Sequence, residues 1–94
     1  MFSYENYLPF TSFNESSIFF KASEVFRWGF LLADTSEGKV FKQLYSYHNY
    51  YIEIEFGENY EEIKTIDGIT IEEAIEKYLD SQFLNNAILE LTAQ

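Results

Sequence analysis

Apolar residues between positions 12 and 33 recur at intervals of three and four, which predicts an α-helix. Ser12 and Glu15 have the spacing of a capping box, in which two side chains each accept a hydrogen bond from a free amide at the start of a helix. The apolar positions form one face and a second stripe, made respectively of Ile18, Phe19, Ala22, Val25, Phe26 and Gly29, and of Phe20, Trp28 and Leu31. A helix that is apolar on more than one side indicates self-association or a packed N-terminal arm.

The limits of this helix follow from its flanking residues. The first ten residues, which include Pro9, predict an irregular or short extended arm. At the other end we expect the helix to stop between Leu31 and Ala33, before a polar loop over residues 34–38.

From residue 39 onward the apolar pattern changes to that of β-strands. We place a two-residue hairpin turn at His48 and Asn49. This turn pairs Tyr47 with Tyr50, Tyr45 with Ile52, Gln43 with Ile54 and Phe41 with Phe56. Those residues then share one side of the sheet, and the mainly polar opposite face has Lys42, Leu44, Ser46, Tyr51, Glu53 and Glu55. A slip of one residue would mix the two faces, so the side chains select this register.

A third strand is predicted after a second turn. Residues 57–60 have the composition of a turn, and residues 61–66 the pattern of a strand with Ile63 and Thr65 facing the core. Asp67 and Gly68 then close what we expect to be a three-stranded antiparallel meander.

A second helix follows the meander. Thr70 and Glu73 form another capping box, and Ile69 is placed for a hydrophobic staple. The helical stripe comprises Ile71, Ala74, Ile75, Tyr78, Leu79 and Phe83. Glu73 and Lys77 have the spacing of an ion pair on the polar side. We expect this helix to end at Asn85 and Asn86, while the pattern of residues 87–94 fits either a short helix or an extended tail.

The predicted fold is a single α+β domain over residues 1–94, with an N-terminal helix, a three-stranded antiparallel β-meander and a C-terminal amphipathic helix. The runs KVFKQLYS, NYYIEIEF and EIKTI, within residues 39–66, resemble a pattern in small uncharacterised bacterial proteins in which a helix leads into a β-meander. This resemblance covers about a third of the chain. It implies the same order of elements and no particular activity.

The aromatic content bears on how much apolar surface the fold can bury. Ten Phe and eight Tyr occur among 94 residues, and each such ring buries about 150–250 Å² when enclosed. One small core does not easily enclose all of them. We therefore expect exposed apolar surface, which usually marks a binding partner.

Two further features concern the cellular compartment. The absence of cysteine excludes disulfides, thiol catalysis and thiolate metal sites. The N-terminal run MFSYENYLPF does not resemble a secretory signal. The most apolar window, residues 18–32, is interrupted by Lys21, Glu24 and Arg27, whereas a membrane span needs roughly 20 mostly apolar residues. We expect a cytoplasmic protein that has no membrane partner.

The charge is strongly negative and unevenly distributed. Residues 1–50 have five acids and four bases, a net charge of −1, whereas residues 51–94 have eleven acids and two bases, a net charge of −9. Nucleic acids need a basic surface, so the charge argues against them as partners. An acidic surface instead favours protein partners with basic surfaces.

Groups that support catalysis are few. His48 is the single histidine, and a turn histidine is more often solvated than catalytic. Glu53 and Glu55 share a strand face at roughly 7 Å, a separation close to that of glycosidase carboxylates, but alternation with core residues explains them better. Oxygen ligands for Ca²⁺ occur at Glu58, Asn59, Glu61 and Glu62, although such acids in a turn are usually solvated. We expect no catalytic residues, no metal site and no cofactor.

The most unusual stretch is the tyrosine-rich tip of the hairpin. Tyrosine suits both strand formation and contact with proteins or sugars. The interface candidates are Trp28, Tyr47, His48, Tyr50 and Tyr51. Our first hypothesis is a small acidic, non-catalytic protein-interaction or regulatory module, with self-association as one form. The alternative is a small-ligand or carbohydrate-binding domain that uses the tyrosine-rich hairpin.

Overall fold

The computed structural model describes residues 7–78 of the protein. Its elements are, in order, α1 Phe10–Glu15, α2 Ile18–Trp28, β1 Phe30–Glu37, β2 Val40–Tyr47, β3 Tyr50–Phe56, a 3₁₀ turn Glu58–Tyr60, β4 Ile63–Ile69 and α3 Ile71–Tyr78. The strands form one antiparallel sheet in the order β1-β2-β3-β4. The α+β class and the meander are therefore confirmed. The predicted number of strands, three, is wrong.

The register of the central hairpin is as predicted. Tyr47 pairs with Tyr50 across the turn, and the pairing continues without a shift to Phe41 and Phe56. His48, the first turn residue, has a φ of 52°. Alternation of apolar and polar residues was sufficient here because only one register keeps the large side chains on one face.

The additional strand is β1, where we expected the end of a helix and a loop. Helix α2 stops at Trp28, and Gly29 caps it with its amide donating to Val25 O. A Cβ at Gly29 would lie 2.5 Å from that same oxygen, so the close approach requires glycine. A bulge between Leu31 and Ala33 interrupts the pairing with β2 and hides the strand period from sequence analysis.

The start of the long helix also differs from the prediction. Ser12 lies inside the short helix α1, and Ser17 is the residue that caps α2, its hydroxyl accepting a hydrogen bond from the Phe20 amide at 3.2 Å. The predicted box of Ser12 and Glu15 is therefore wrong. Ser16 and Ser17 have extended backbone that separates the two helices.

Strand β4 follows the prediction at Ile63, which packs against the core, and departs from it at Thr65. Thr65 is exposed, whereas Ile66 is only 2% exposed and pairs with Ile54. The cause is a register shift opposite Glu55 and Phe56, where Lys64 is an extra residue of β4 and the strand changes faces on either side of it. Asp67 and Gly68, predicted as the closing turn, belong to this strand.

Apolar side chains pack on both faces of the sheet. The larger cluster lies between the sheet and helices α1 and α2, and comprises Phe13, Val25, Tyr47, Tyr50, Ile52, Ile54, Phe56 and Ile66. The second lies between the sheet and α3, and comprises Leu32, Ala33, Leu44, Tyr51, Ile69, Ala74 and Tyr78. The face predicted to be mainly polar is thus a second core. The protein has three layers, with α1 and α2 on one side of the sheet and α3 on the other.

Helix α3 begins as predicted. Thr70 accepts a hydrogen bond from the Glu73 amide, and the Thr70 amide donates to the Glu73 carboxylate, both at 3.2 Å. The predicted pairing of Glu73 with Lys77 does not form, because Lys77 donates to Glu53 of β3 at 3.1 Å. The predictions for Leu79, Phe83 and residues 85–94 lie outside the described residues.

Candidate interaction surface

Two of the five interface candidates, Tyr47 and Tyr50, lie in the larger core. Both rings are buried beside Phe13, and their hydroxyls reach the segment that precedes α1. The Tyr47 hydroxyl accepts from the Leu8 amide at 2.9 Å and donates to Glu24 at 2.8 Å. The Tyr50 hydroxyl donates to the Leu8 carbonyl at 2.8 Å. These tyrosines therefore join the N-terminal segment and α2 to the sheet.

The same burial changes the acidity of these hydroxyls. Desolvation raises the pKa of Tyr47 from 10.0 to about 12, and the hydrogen bond to Glu24 acts in the same direction. Burial also raises the pKa of Tyr50, with the neighbouring Tyr47 as the next cause. Both groups are neutral hydrogen-bond donors at physiological pH.

The third tyrosine candidate, Tyr51, faces the opposite side of the sheet and is buried under α3. Next to it in the strand, Glu53 is a charged residue that is only 9% exposed. Its carboxylate accepts from the Tyr78 hydroxyl at 2.8 Å and from Lys77 at 3.1 Å. Burial, followed by this bond to Glu53, raises the pKa of Tyr78. The buried carboxylate is therefore satisfied by two donors from α3.

The remaining candidates lie around Tyr7 at the hairpin tip. His48 is exposed and stacks on the Tyr7 ring with 4.8 Å between centroids. Trp28 is half-buried and meets the same ring edge-on at 6.1 Å. The structure brings Trp28, Tyr47 and His48 together through Tyr7, a residue that sequence analysis did not single out. That any of the five candidates contacts a partner stays a prediction.

The structure bears on two hypotheses from the sequence, a catalytic pair of Glu53 and Glu55 and a Ca²⁺ site in the acidic turn. Glu53 and Glu55 share a face of β3, but the bonds to Tyr78 and Lys77 occupy the Glu53 carboxylate. Within residues 7–78, no group of three or more histidine, aspartate or glutamate residues is arranged to hold a metal ion. Glu58, from the acidic turn, forms an exposed ion pair with Lys39 at 3.3 Å.

Three exposed aromatic residues lie on the outer side of α2. Phe19 is 86% exposed, Phe26 is 55% exposed and Phe20 is 47% exposed. At 100° per residue these three, together with the exposed Ser23 and Arg27, fall within about 120° of the helix circumference. We call this surface, defined by Phe19, Phe20, Ser23, Phe26 and Arg27, the phenylalanine face. The opposite side of α2 packs Val25 into the core.

Sequence analysis had assigned Phe19 and Phe26 to the buried face of the helix. In the structure, helix α2 is rotated about its own axis relative to the predicted orientation. Val25 is fully buried, and Lys21 lies on the side that faces the sheet, where its ammonium group donates to Ile66 O at 2.9 Å. The signal for an exposed aromatic surface was present, since two apolar stripes exceed what one sheet face covers. The exposed side takes Phe19 and Phe26 from one stripe and Phe20 from the other, a choice that depended on tertiary contacts.

The two outer layers of the protein differ in chemistry. On α2 the phenylalanine face has three aromatic rings and one charge, that of Arg27. On α3, across the sheet, the exposed positions include Glu72, Glu73 and Glu76. One helical layer is therefore aromatic and the other is acidic.

Comparisons of the chain with protein-family models, with curated proteins and with solved structures return no match. Among the helices of residues 7–78, none is both long enough and apolar enough to cross a membrane.

Proposed function

We propose that the protein is a small, non-catalytic protein-interaction module that associates through the phenylalanine face. The observation on which this depends is the exposure of Phe19, Phe20 and Phe26 on one side of a single helix. Burying a phenylalanine side chain contributes about 1.5–3 kcal/mol, so association that buries these three rings gains hydrophobic free energy that the monomer lacks. Aromatic rings grouped on a helix supply the anchors that dominate protein interfaces.

The area of this surface limits the kind of complex. Three phenylalanine residues that are between 47% and 86% exposed present roughly 300–450 Å² to water. A standard interface removes about 800 Å² from each partner. The phenylalanine face therefore supplies the centre of an interface, and the partner must also contact neighbouring elements.

The charge distribution supports a second copy of this chain as the partner. Net charges of −10 repel each other unless the acids are distant from the contact. The phenylalanine face has no acid, and the acids of α3 lie across the sheet from it. Self-association through α2 thus brings aromatic surfaces together while the acidic layers face outward.

The test compares two double variants of the full chain. Phe19→Ser with Phe26→Ser removes two rings of the phenylalanine face. Val40→Ser with Ile71→Ser removes apolar side chains of 38% and 39% exposure from other surfaces. An affinity-tagged wild-type chain mixed with untagged chains should retain the wild type and the control, but not the phenylalanine variant. Equal retention of all three, or retention of none, would refute the proposal.

The alternative, a carbohydrate or small-ligand site at the tyrosine-rich hairpin, gains no support from the position of the rings. Tyr47 and Tyr50 pack in one core and Tyr51 in the other, so none of the three presents an open face for stacking. A ligand would have to displace these contacts to reach them. We therefore do not propose this function.

A further inference from the structure

The five residues of the phenylalanine face are arranged symmetrically about Ser23. Phe19 and Arg27 lie four residues to either side of it, and Phe20 and Phe26 lie three residues to either side. Ser23 is also the middle of the face around the helix, because the other four residues are displaced from it by roughly 40° or 60° in the two directions. The smallest side chain of the face is therefore at its centre.

The four larger side chains form two rows along the helix. Seven residues are close to two helical turns, so Phe19 and Phe26 lie in one row and Phe20 and Arg27 lie in the other. Ser23 lies between the two rows. A second helix that crosses at Ser23 can approach closely there, with the rows on either side of the crossing point.

The single charge of the face, that of Arg27, is without a partner in the described part of the chain. Arg27 is exposed, and its guanidinium group makes no ion pair, hydrogen bond or cation–π contact with residues 7–78. A guanidinium group is weakly hydrated and stacks readily on an aromatic ring, more strongly where water is excluded. Arg27 is thus suited to an aromatic partner supplied by another chain.

We propose that the α2 helices of two copies pack antiparallel, with the twofold axis at the contact between their Ser23 residues. This inference rests on the proposed self-association and specifies its geometry. In an antiparallel pair with this axis, each row of one helix meets the same row of the other in reverse order. Phe19 therefore packs against Phe26 of the second copy, and Phe20 lies against Arg27 of the second copy. Because the contact is isologous, each of these pairs occurs twice.

The charge of Arg27 favours the antiparallel direction. In a parallel pair, the two Arg27 side chains would lie at the same height along the helices and would repel each other. In the antiparallel pair they are roughly 12 Å apart along the helix axes, one at each end of the contact. The macrodipoles of antiparallel helices also attract, whereas those of parallel helices repel.

Single cysteines test the crossing point, since the chain has none of its own. In Ser23→Cys, helix axes roughly 10 Å apart leave about 5 Å between the two Cα atoms, which is within the range of a disulfide. Under mild oxidation we expect most of this variant to become a disulfide-linked dimer on a non-reducing gel. Thr65→Cys is the matched control, an exposed position that pairs with Glu55 on the α3 side of the sheet, and should remain mainly monomeric.

A mixture of two further variants, Phe20→Cys and Arg27→Cys, tests the direction. In the antiparallel pair the two cysteines face each other, while the second contact between Phe20 and Arg27 and both contacts between Phe19 and Phe26 are kept. The mixture should therefore cross-link, whereas each variant alone should not. In a parallel pair the two cysteines would be roughly 10 Å apart along the helix axes, too far for a disulfide.

The outcomes separate this inference from the proposed function. A wild-type chain that self-associates in light scattering, with Ser23→Cys no more cross-linked than Thr65→Cys, would overturn the crossing at Ser23 and leave the proposed self-association in place. Cross-linking of Ser23→Cys without cross-linking in the mixture would overturn the antiparallel direction. A wild-type chain that does not self-associate would overturn both the inference and the proposed function.

Discussion

At the scale of single residues, the Tyr47 hydroxyl joins the largest number of elements. It accepts a hydrogen bond from the Leu8 amide and donates one to Glu24 of α2, while its ring is buried in β2. Because both partners are part of the fold, removing this one oxygen leaves an amide and a carboxylate without a bond. Tyr47, one of the interface candidates, is thus a structural residue.

Tyr47→Phe should lower the free energy of unfolding by about 1–3 kcal/mol, since it leaves both partners unsatisfied at a buried position. Tyr60→Phe is the matched control, because the exposed hydroxyl of Tyr60 makes a single bond to Asp34 and its loss should leave the stability close to that of the wild type. Urea unfolding followed by Trp28 fluorescence measures both. Equal losses in the two variants would contradict the role assigned to Tyr47.

The raised tyrosine pKa values predict that alkaline pH unfolds the protein. Below pH 10.0, the ordinary pKa, Tyr47 is protonated in both the folded and the unfolded chain, so its contribution to stability is complete. Above that pH the unfolded chain loses the proton first, and the contribution falls as the pH rises toward the folded value of about 12. Tyr50 and Tyr78 act with the same sign.

Denaturation midpoints measured at a series of pH values should therefore decline from about pH 10 upward. Tyr47→Phe should decline less steeply, because it has one fewer group to titrate. A stability that stays constant between pH 10.0 and about 12 would contradict the burial of these hydroxyls.

At the scale of elements, the difference between local turns or caps and β-bulges explains which predictions were confirmed. The hairpin of β2 and β3 and the start of α3 depend on local chemistry, a two-residue turn and the reciprocal bonds of Thr70 and Glu73, so sequence analysis found both. Strand β1 and the register of β4 depend on bulges, which shift the alternation by one residue. A bulge is fixed by pairing with the neighbouring strand, and the sequence of one strand does not reveal it.

The candidate surface illustrates the same limit. An excess of apolar surface on α2 was predictable from its two stripes. The sequence suggested the tyrosine-rich tip as the place where binding residues lie, whereas the structure encloses Tyr47, Tyr50 and Tyr51 and exposes Phe19, Phe20 and Phe26. The rotation of α2 about its axis depends on long-range contacts such as that between Lys21 and Ile66.

The start of α2 gives a test at this scale. Ser17→Ala should destabilise the protein by about 0.5–2 kcal/mol, because the Phe20 amide loses its side-chain acceptor. Ser12→Ala, within α1, is the matched control and should be close to neutral, since alanine favours a helix more than serine does. Thermal unfolding of both variants measures the difference. The reverse order would indicate that the helix begins at Ser12 after all.

At the scale of the whole molecule, the sheet separates two unlike layers. The layer of α2 has an aromatic outer surface, and the layer of α3 has Glu72, Glu73 and Glu76 outward. A chain with a net charge of −10 can bring aromatic surfaces together only where its acids are distant, and this arrangement meets that condition.

The central claim is that the phenylalanine face is buried in a complex of two chains. Light scattering on the wild-type protein over a range of concentrations tests it most directly. We predict a mass that rises to twice the 11.1 kDa of the chain, and a Phe19→Ser, Phe26→Ser variant that keeps the mass of one folded chain at the same concentrations. A wild-type protein that keeps the mass of one chain at every concentration, or a variant that associates as readily as the wild type, would contradict the claim.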